Sequence, residues 1–325
     1  MIKIGIAGYG NLGKGLVKAI GKNDDMEAVV IFTRRDPASL KTDDADIPVA
    51  RLSDAKQWTD KIDVLVLCGG SATDLPEQGP DLAKLFDTVD SYDTHARIPE
   101  YFAAVDQSAR DTGHLSLISS GWDPGLFSVM RVLFSSVLPD GQEHTFWGTG
   151  VSQGHSDAIR RIPGVIDARQ YTVPVQEALE AARTRQNIEL TTRQKHRRDC
   201  YVAAEEHADK KAIEQAIVSM PNYFADYDTT VTFISEKAMR ENHSRLPHGG
   251  SVIRRGRTSK NSGQMMEFGL QLESNPEFTA SVLAAYARAV YRLKKEGKTG
   301  AVSVFDIPVG ALSAADPESL RKTML

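Results

Sequence analysis

Asp93 and Asp123 are the acids whose positions best suit chemistry. Thr88-Val89-Asp90-Ser91-Tyr92-Asp93 closes one expected strand. Leu115-Ser116-Leu117-Ile118-Ser119 forms the next and runs into Ser120-Gly121-Trp122-Asp123-Pro124-Gly125. Open α/β sheets bind ligands just past the carboxyl ends of their strands. Acids there can hold a cation, orient it and relay its proton through water. Simpler roles are open to both. Asp123-Pro124 has the pattern of a helix N-cap with proline at the first helical position, ahead of a helix over 127–137. Asp93 can close a turn.

A second chemical feature lies at the N-terminus. Ile2, Ile4 and Ile6 alternate as in a strand, Gly8-x-Gly10-x-x-Gly13 follows, and Leu16, Val17 and Ile20 recur at helical spacing. Strand, glycine turn and helix in that order predict a dinucleotide site. Gly8 permits the sharp turn, Gly10 the approach of a pyrophosphate, and Gly13 the close packing of helix on sheet. Free N–H groups at the helix start then face the phosphates. The next apolar run, Ala28 to Phe32, ends in Thr33-Arg34-Arg35. An NAD-preferring fold usually has an acid here for the ribose 2′-hydroxyl, and two guanidinium groups suit a 2′-phosphate instead. NADP is the expected cofactor. The alternative is a solvated basic turn partnered by Asp36. Val64 to Cys68 is a third buried strand, and Gly69-Gly70-Ser71-Ala72-Thr73 leaves room at its end. Cys68 reads as a packing residue.

The elements that must position these groups alternate strand and helix from residue 1 to about 120, with helices near 76–85 and 98–110. That pattern predicts a Rossmann-like, doubly wound parallel sheet. Residues 36–60 read as a loop with a short helix. Beyond 140, strands are expected at 144–148, 167–173, 195–203, 228–234, 250–257 and 264–273, with helices at 174–185 and 208–219. This is an α+β open sandwich, and Thr230 to Ile234 reads as a one-sided antiparallel strand. Asn275-Pro276 opens a long helix with Asn275 as its cap, and Ala301 to Phe305 reads as a last strand that returns to the first domain. The expected domains are 1–121, joined by 300–325, for the dinucleotide, and 122–299 for substrate and dimerisation.

With 325 residues, 41% hydrophobic and 25% charged, the chain suits a globular protein of about two domains. A net charge of −4 argues against a general nucleic-acid binder, and the basic run Lys195 to Arg198 lacks aromatic interleaving. Strand alternation sends His196 and Arg198 to one face and Lys195 and Arg197 to the other. Two cysteines make neither a disulfide framework nor a zinc site. No apolar run approaches the roughly 20 residues that span a bilayer, and a cytoplasmic setting is expected. Gly150 to Asp157 is expected to be a polar loop. Its serine, histidine and aspartate lie too close in sequence for a catalytic triad and lack the nucleophile elbow. Pro247-His248-Gly249-Gly250 is expected to be a loop presenting one histidine.

Taken together, Gly8 to Gly13, Arg34-Arg35, Cys68 to Asp74, Gly121 to Gly125, Phe146-Trp147-Gly148 through Gln153-Gly154-His155-Ser156-Asp157, and Pro247 to Gly250 resemble the meso-diaminopimelate D-dehydrogenase family over nearly the whole chain. Residues 36–60 match poorly. The resemblance implies NADP-dependent oxidative deamination of meso-diaminopimelate at its D carbon, giving L-2-amino-6-oxopimelate, ammonia and NADPH. The reverse direction feeds lysine and peptidoglycan synthesis. It also implies a homodimer whose substrate domain closes over the cleft. No metal is expected.

The family pattern puts Asp93 and Asp123 at the reacting end as catalytic groups. Trp122, Trp147 and the backbone of Gln153 and Gly154 line the same pocket, and Thr172, Arg198, His248 and Asn275 hold the distant L end. Expected cofactor contacts are Gly8, Tyr9, Gly10, Asn11, Leu12, Thr33, Arg34, Arg35, Cys68, Gly69, Gly70, Ser71, Ala72, Thr73, Ser91, Tyr92, Ser120, Gly121, Trp122, Asp123 and Pro124. Rival readings are another NADP-linked amino-acid or aldehyde dehydrogenase, or a non-catalytic NADP sensor.

Overall fold

The computed structural model describes residues 1–185 and 187–325. The chain forms two compact units, Met1–Val129 with Pro276–Leu325, and Met130–Asn275.

In the first unit, β1 (Ile2–Ala7), β2 (Met26–Thr33), β3 (Val49–Arg51), β4 (Val64–Leu67), β5 (Thr88–Asp90) and β6 (Leu115–Leu117) join a C-terminal strand, Gly300–Val302. Their order across the sheet is Gly300–Val302, β6, β5, β4, β1, β2, β3, and every pairing is parallel. Successive strands are added on one side of β1 up to β3 and on the other from β4 onward. The crevice between β1 and β4 is therefore the point where such a sheet receives a ligand. Helices on both faces explain the continuous apolar runs, and β4 is buried at every position. α1 (Asn11–Ile20) follows β1, α2 (Leu75–Ala83) follows β4, and α3 (Ile98–Thr112) follows β5.

The long helix Asn275–Lys295 adds a broad apolar face to the same core, where Ala280, Leu283, Ala287 and Val290 cluster with Ile4, Leu16 and Val66. Its packing is close, since a Cβ on Gly15 would lie 3.1 Å from Ala280 Cβ. Nearly all of this helix therefore groups with the first unit, whereas the expected boundary gave it to the second domain. Each large apolar side chain buried here contributes about 1.5–3 kcal/mol.

Two further expectations are corrected in this unit. The segment 36–60 contains a short edge strand, β3, because Val49–Arg51 pairs with Ile31–Thr33. The last strand stops at Val302, where Ser303 caps a 3₁₀ turn, Val304–Asp306, and the Asp306 carboxylate accepts the Ser303 N–H in return.

The second unit contains two sheets. β8 (Gly150–Val151), β9 (Val165–Pro174), β10 (His196–Ala204) and β11 (Asp228–Phe233) form one, in the order β11, β10, β9, β8. β7 (Gly141–Trp147), β12 (His248–Ser259) and β13 (Ser262–Leu272) form the other, in the order β13, β12, β7. β11 alternates exposed and half-buried residues as a one-sided strand should, yet it runs parallel to β10 rather than antiparallel. The connection from β10 passes through a helix, Lys210–Val218, and that crossover returns the chain in the same direction. Ile159, Val202, Ile213, Ile217 and Phe224 form the core under the four-stranded sheet.

Two expected loops prove to be regular structure. Gly150 to Asp157 comprises β8, a capping serine and the start of a helix, Gln153–Arg160. His248 begins β12. Gly249 and Gly250 continue that strand at φ 147° and 155°, and a Cβ on either would fall 2.1–2.2 Å from a neighbouring carbonyl oxygen. Glycines in this stretch mark close strand approach.

Candidate active site

In the first unit, the glycine turn is built for an anion. Gly8 has φ +103°, and a Cβ on Gly13 would lie 2.1 Å from Gly8 O. Beside Gly10 the space is open. α1 starts with no side-chain cap and no acid in its first turn, so its N–H groups suit phosphate oxygens. The Tyr9 side chain is turned inward, where its hydroxyl accepts the Asp43 N–H at 2.9 Å, and Leu12 packs against the core. Any cofactor contact from Tyr9 or Leu12 therefore falls to the backbone.

At the end of β2, Thr33 Oγ1 accepts the Arg35 N–H at 3.1 Å and fixes the turn. Arg34 Nη1 pairs with Asp74 Oδ1 at 2.7 Å. Asp36, expected as the partner of a solvated turn, instead meets Arg51 at 3.4 Å. Thr33, Arg34, Arg51 and Leu52 help line a cavity of about 420 Å³. Cys68 packs partly buried against the core, and burial pushes its thiol up to about 12.

The strand-end acids are tied into this frame. Asp93 is exposed, and its N–H donates to Ser71 Oγ at 2.8 Å, which links the loop after β5 to the glycine-serine loop after β4. Asp123 is half-buried, and it is not the N-cap of the next helix. That helix, Leu126–Val137, starts only after a tight turn in which Trp122 bridges Gly125. Trp122 is held edge-on to Phe127 with ring centroids 5.2 Å apart.

Sequence reasoning passed over Asp90, which organises both loops. Its Oδ1 accepts the N–H groups of Tyr92 and Ser119, each at 2.9 Å, and its Oδ2 accepts the Tyr101 hydroxyl at 2.7 Å. Its carbonyl accepts the Ser120 N–H and hydroxyl. Burial holds the Asp90 carboxyl above the usual carboxylate range against those hydrogen bonds. An acid closing an otherwise apolar strand was the available signal. Ser120 and Tyr92 are both fully enclosed by the fold, with Tyr92 stacked on Tyr101 at 4.0 Å.

In the second unit, register assembles residues distant in sequence. Thr172 pairs with Gly150 on one side and Arg198 on the other. Arg198 Nη1 donates to Thr172 Oγ1, and its guanidinium carbon lies 3.8 Å from the Tyr227 ring centre. His196 and Arg198 are buried and Arg197 is exposed, as strand alternation requires. Arg198 has no carboxylate partner among the described residues, and its Nε is buried without a hydrogen-bond partner. Burial lowers its pKa. A cation kept in this way is costly unless an anion joins it.

A Cβ on Gly150 would lie 2.4 Å from His248 Cα, so glycine there lets His248 close on the strand that carries Thr172. The Asn275 N–H donates to Leu246 O at 2.9 Å, just ahead of His248. Trp147 pairs with Gly250, and its N–H donates to His196 Nε2 at 2.8 Å. At the helix Gln153–Arg160, Ser152 Oγ takes the His155 N–H and lies 2.7 Å from His155 Nδ1, while Gln153 and Gly154 stand exposed at the helix start. His155 and His196 had no assigned role from sequence. Burial, followed by Arg198, depresses them to about 4 and about 3, which leaves both neutral at pH 7. The fold thus brings Thr172, Arg198, His248 and the Trp147 strand end together, and separately joins Ser71 to Asp93.

The model of the diaminopimelic acid dehydrogenase C-terminal domain matches residues 121–274, and that of the coenzyme F420-dependent NADP oxidoreductases matches residues 3–72. The meso-diaminopimelate D-dehydrogenase of Ureibacillus thermosphaericus is 57% identical over 324 residues, covering 100% of this chain and 99% of its own. That of Corynebacterium glutamicum is 46% identical, covering 98% and 97%. The chain belongs to the meso-diaminopimelate D-dehydrogenase family. Two solved structures superpose closely. A C. glutamicum DAP dehydrogenase in complex with DAP is 44% identical, with a TM-score of 0.93 over 100% of this chain and 99% of its own. An engineered D-amino acid dehydrogenase bound to NADP+ is 43% identical, with a TM-score of 0.88 over the same shares. The uncapped α1 and the arginines after β2 fit an NADP cofactor. Among the described residues, no helix is long and apolar enough to cross a membrane.

Proposed function

We propose that this protein catalyses the NADP-dependent, reversible oxidative deamination of meso-diaminopimelate at its D carbon. Water is consumed, and L-2-amino-6-oxopimelate, ammonia, NADPH and a proton are formed. NADP, when bound, supplies the hydride acceptor. The backbone of residues 8–13 would hold its pyrophosphate, and Arg34 and Arg35 its 2′-phosphate. The amine must lose a proton before hydride can leave the carbon beneath it. Asp93 and Asp123 would hold the incoming ammonium, relay that proton through water and stabilise the iminium charge. Trp122 and Trp147 would exclude bulk water, and the N–H groups of Gln153 and Gly154 would take the near carboxylate. Water then adds to the iminium carbon and ammonia departs.

The observation that carries this reading is Arg198, a buried guanidinium beside Thr172 with no carboxylate partner among the described residues. A ligand carboxylate at the far end of the substrate would satisfy it, with Thr172, His248 and Asn275 adding polar contacts. The substrate has opposite configurations at its two ends, so a far anchor that accepts only the L end delivers the D carbon to the hydride. A sensor has no need of such an anchor. Measuring NADPH formation with meso-diaminopimelate beside the L,L isomer tests the reading. Turnover of the meso compound alone supports it, and equal turnover of both, or of neither, refutes it. We further propose a cytoplasmic homodimer, which sedimentation at micromolar protein would check.

A further inference from the structure

Asp74 occupies the N-cap position of α2, where an aspartate ordinarily accepts an N–H from the helix's first turn. It makes no such cap bond. One carboxylate oxygen, Oδ2, accepts the Gly70 N–H at 2.8 Å, and the other, Oδ1, meets Arg34 Nη1 at 2.7 Å. The Asp74 side chain is 14% exposed and that of Arg34 65%. Asp74 is also wedged beneath the loop, since a Cβ on Gly69 would lie 2.9 Å from its own Cβ. A largely buried carboxylate, bonded to the loop backbone, thus holds one edge of a solvent-facing guanidinium. Glu77 and Asp81 line the same cavity as Arg34.

We propose that Asp74 is a positioning residue for cofactor selection. It fixes the Arg34 fork at the end of β2, so that the free edge of the guanidinium is already aimed when a 2′-phosphate arrives. Pre-ordering a long side chain lowers the entropic cost of binding. The proposal rests on Arg34 reading the 2′-phosphate.

The test is calorimetric titration of the purified protein with 2′,5′-ADP and with 5′-AMP, which differ only in the 2′-phosphate, alongside thermal melting. Asp74→Asn retains an acceptor for Gly70 and loses the charge facing Arg34. It should weaken 2′,5′-ADP by roughly fivefold, the upper range for an exposed ion pair, and leave 5′-AMP within about twofold. In an Arg34→Ala background the same change should have no further effect on 2′,5′-ADP. Asp74→Glu, which displaces the charge, should repeat the selective loss if the asparagine variant folds poorly. Equal weakening of both ligands would make Asp74 a support of the glycine loop. Undiminished weakening in the Arg34→Ala background, or tighter 2′,5′-ADP binding by Asp74→Asn, would also overturn the proposal. Should Arg34→Ala alone leave 2′,5′-ADP unchanged, the fault lies in the assignment of Arg34 itself.

Discussion

Arg34 and Arg198 are both set to meet an anion, and their surroundings differ in almost every respect. Arg34 stands in solvent at a strand end, with an aspartate already on one edge. Arg198 lies in a sheet interior, against a threonine hydroxyl and a tyrosine face, with a pKa lowered by burial. Water and salt moderate the first interaction, and little moderates the second. An exposed arginine can select among cofactors by modest increments. A desolvated one makes an all-or-none demand on the ligand that enters beside it. The contrast assigns graded selection to the first unit and strict selection to the second.

The largest effect is expected outside both arginines, at the reacting end. Asp123→Asn keeps the size of the side chain, and Asp123 lies ahead of the N-cap position of the helix that starts at Leu126. Melting should be unchanged, and kcat should fall about a hundredfold or more. Wild-type turnover with normal melting would reduce Asp123 to a turn residue. Next, Arg198→Met should lose at least about 2 kcal/mol in kcat/KM on meso-diaminopimelate. Because it replaces a buried charge that has no carboxylate partner among the described residues with an apolar side chain, it should leave the Tm equal or higher. A sharp drop in Tm would show that Arg198 supports the fold and would break the contrast. A smaller loss is expected from Arg34→Ala with Arg35→Ala. Charge-assisted contacts are worth about 1.5–3 kcal/mol each, and exposure places this pair near the low end in NADP-over-NAD preference. Kinetics with both cofactors measure it, and an unchanged preference would mean the 2′-phosphate is read elsewhere.

A milder effect should appear in stability against pH. His155 and His196 are depressed to about 4 and about 3, against roughly 6.5 in an unfolded chain. Between those values the unfolded chain binds more protons, so stability rises with pH and is lost as pH falls below about 6.5. In His196→Gln, whose amide oxygen can still accept the Trp147 N–H, the denaturation midpoint should fall less between pH 7 and 5. An identical decline would show that His196 is not buried as a neutral ring.

How much of this was legible in the sequence follows the same division. The first unit recognises through turns local in sequence, so Gly8 to Gly13 and Arg34-Arg35 announce themselves. β3 escaped because Val49–Arg51 is a short edge strand in a polar stretch, recognisable only by its pairing with β2. In the second unit, alternation gave the buried face of Arg198. Its meeting with Thr172 and His248 depends on register across three strands and on the missing side chain of Gly150. No local pattern encodes that meeting, and only the family resemblance named those residues together. Likewise, glycines beside His248 read as a loop although they sit in a strand, because the close approach of β7 and β13 that requires them is a tertiary fact. The parallel direction of β11 was hidden for a similar reason, since alternation reports faces and not direction.

The smallest effect tests the central claim most directly. D-Alanine has a reacting end and no far end, so it has no remote binding energy for Arg198 to supply. In parallel kinetics, Arg198→Met should lose its roughly thirtyfold or more on meso-diaminopimelate while kcat/KM on D-alanine, already poor, stays within about twofold of wild type. An equal loss on both substrates would contradict the account, because Arg198 would then be serving the fold or the reacting end rather than the distant carboxylate.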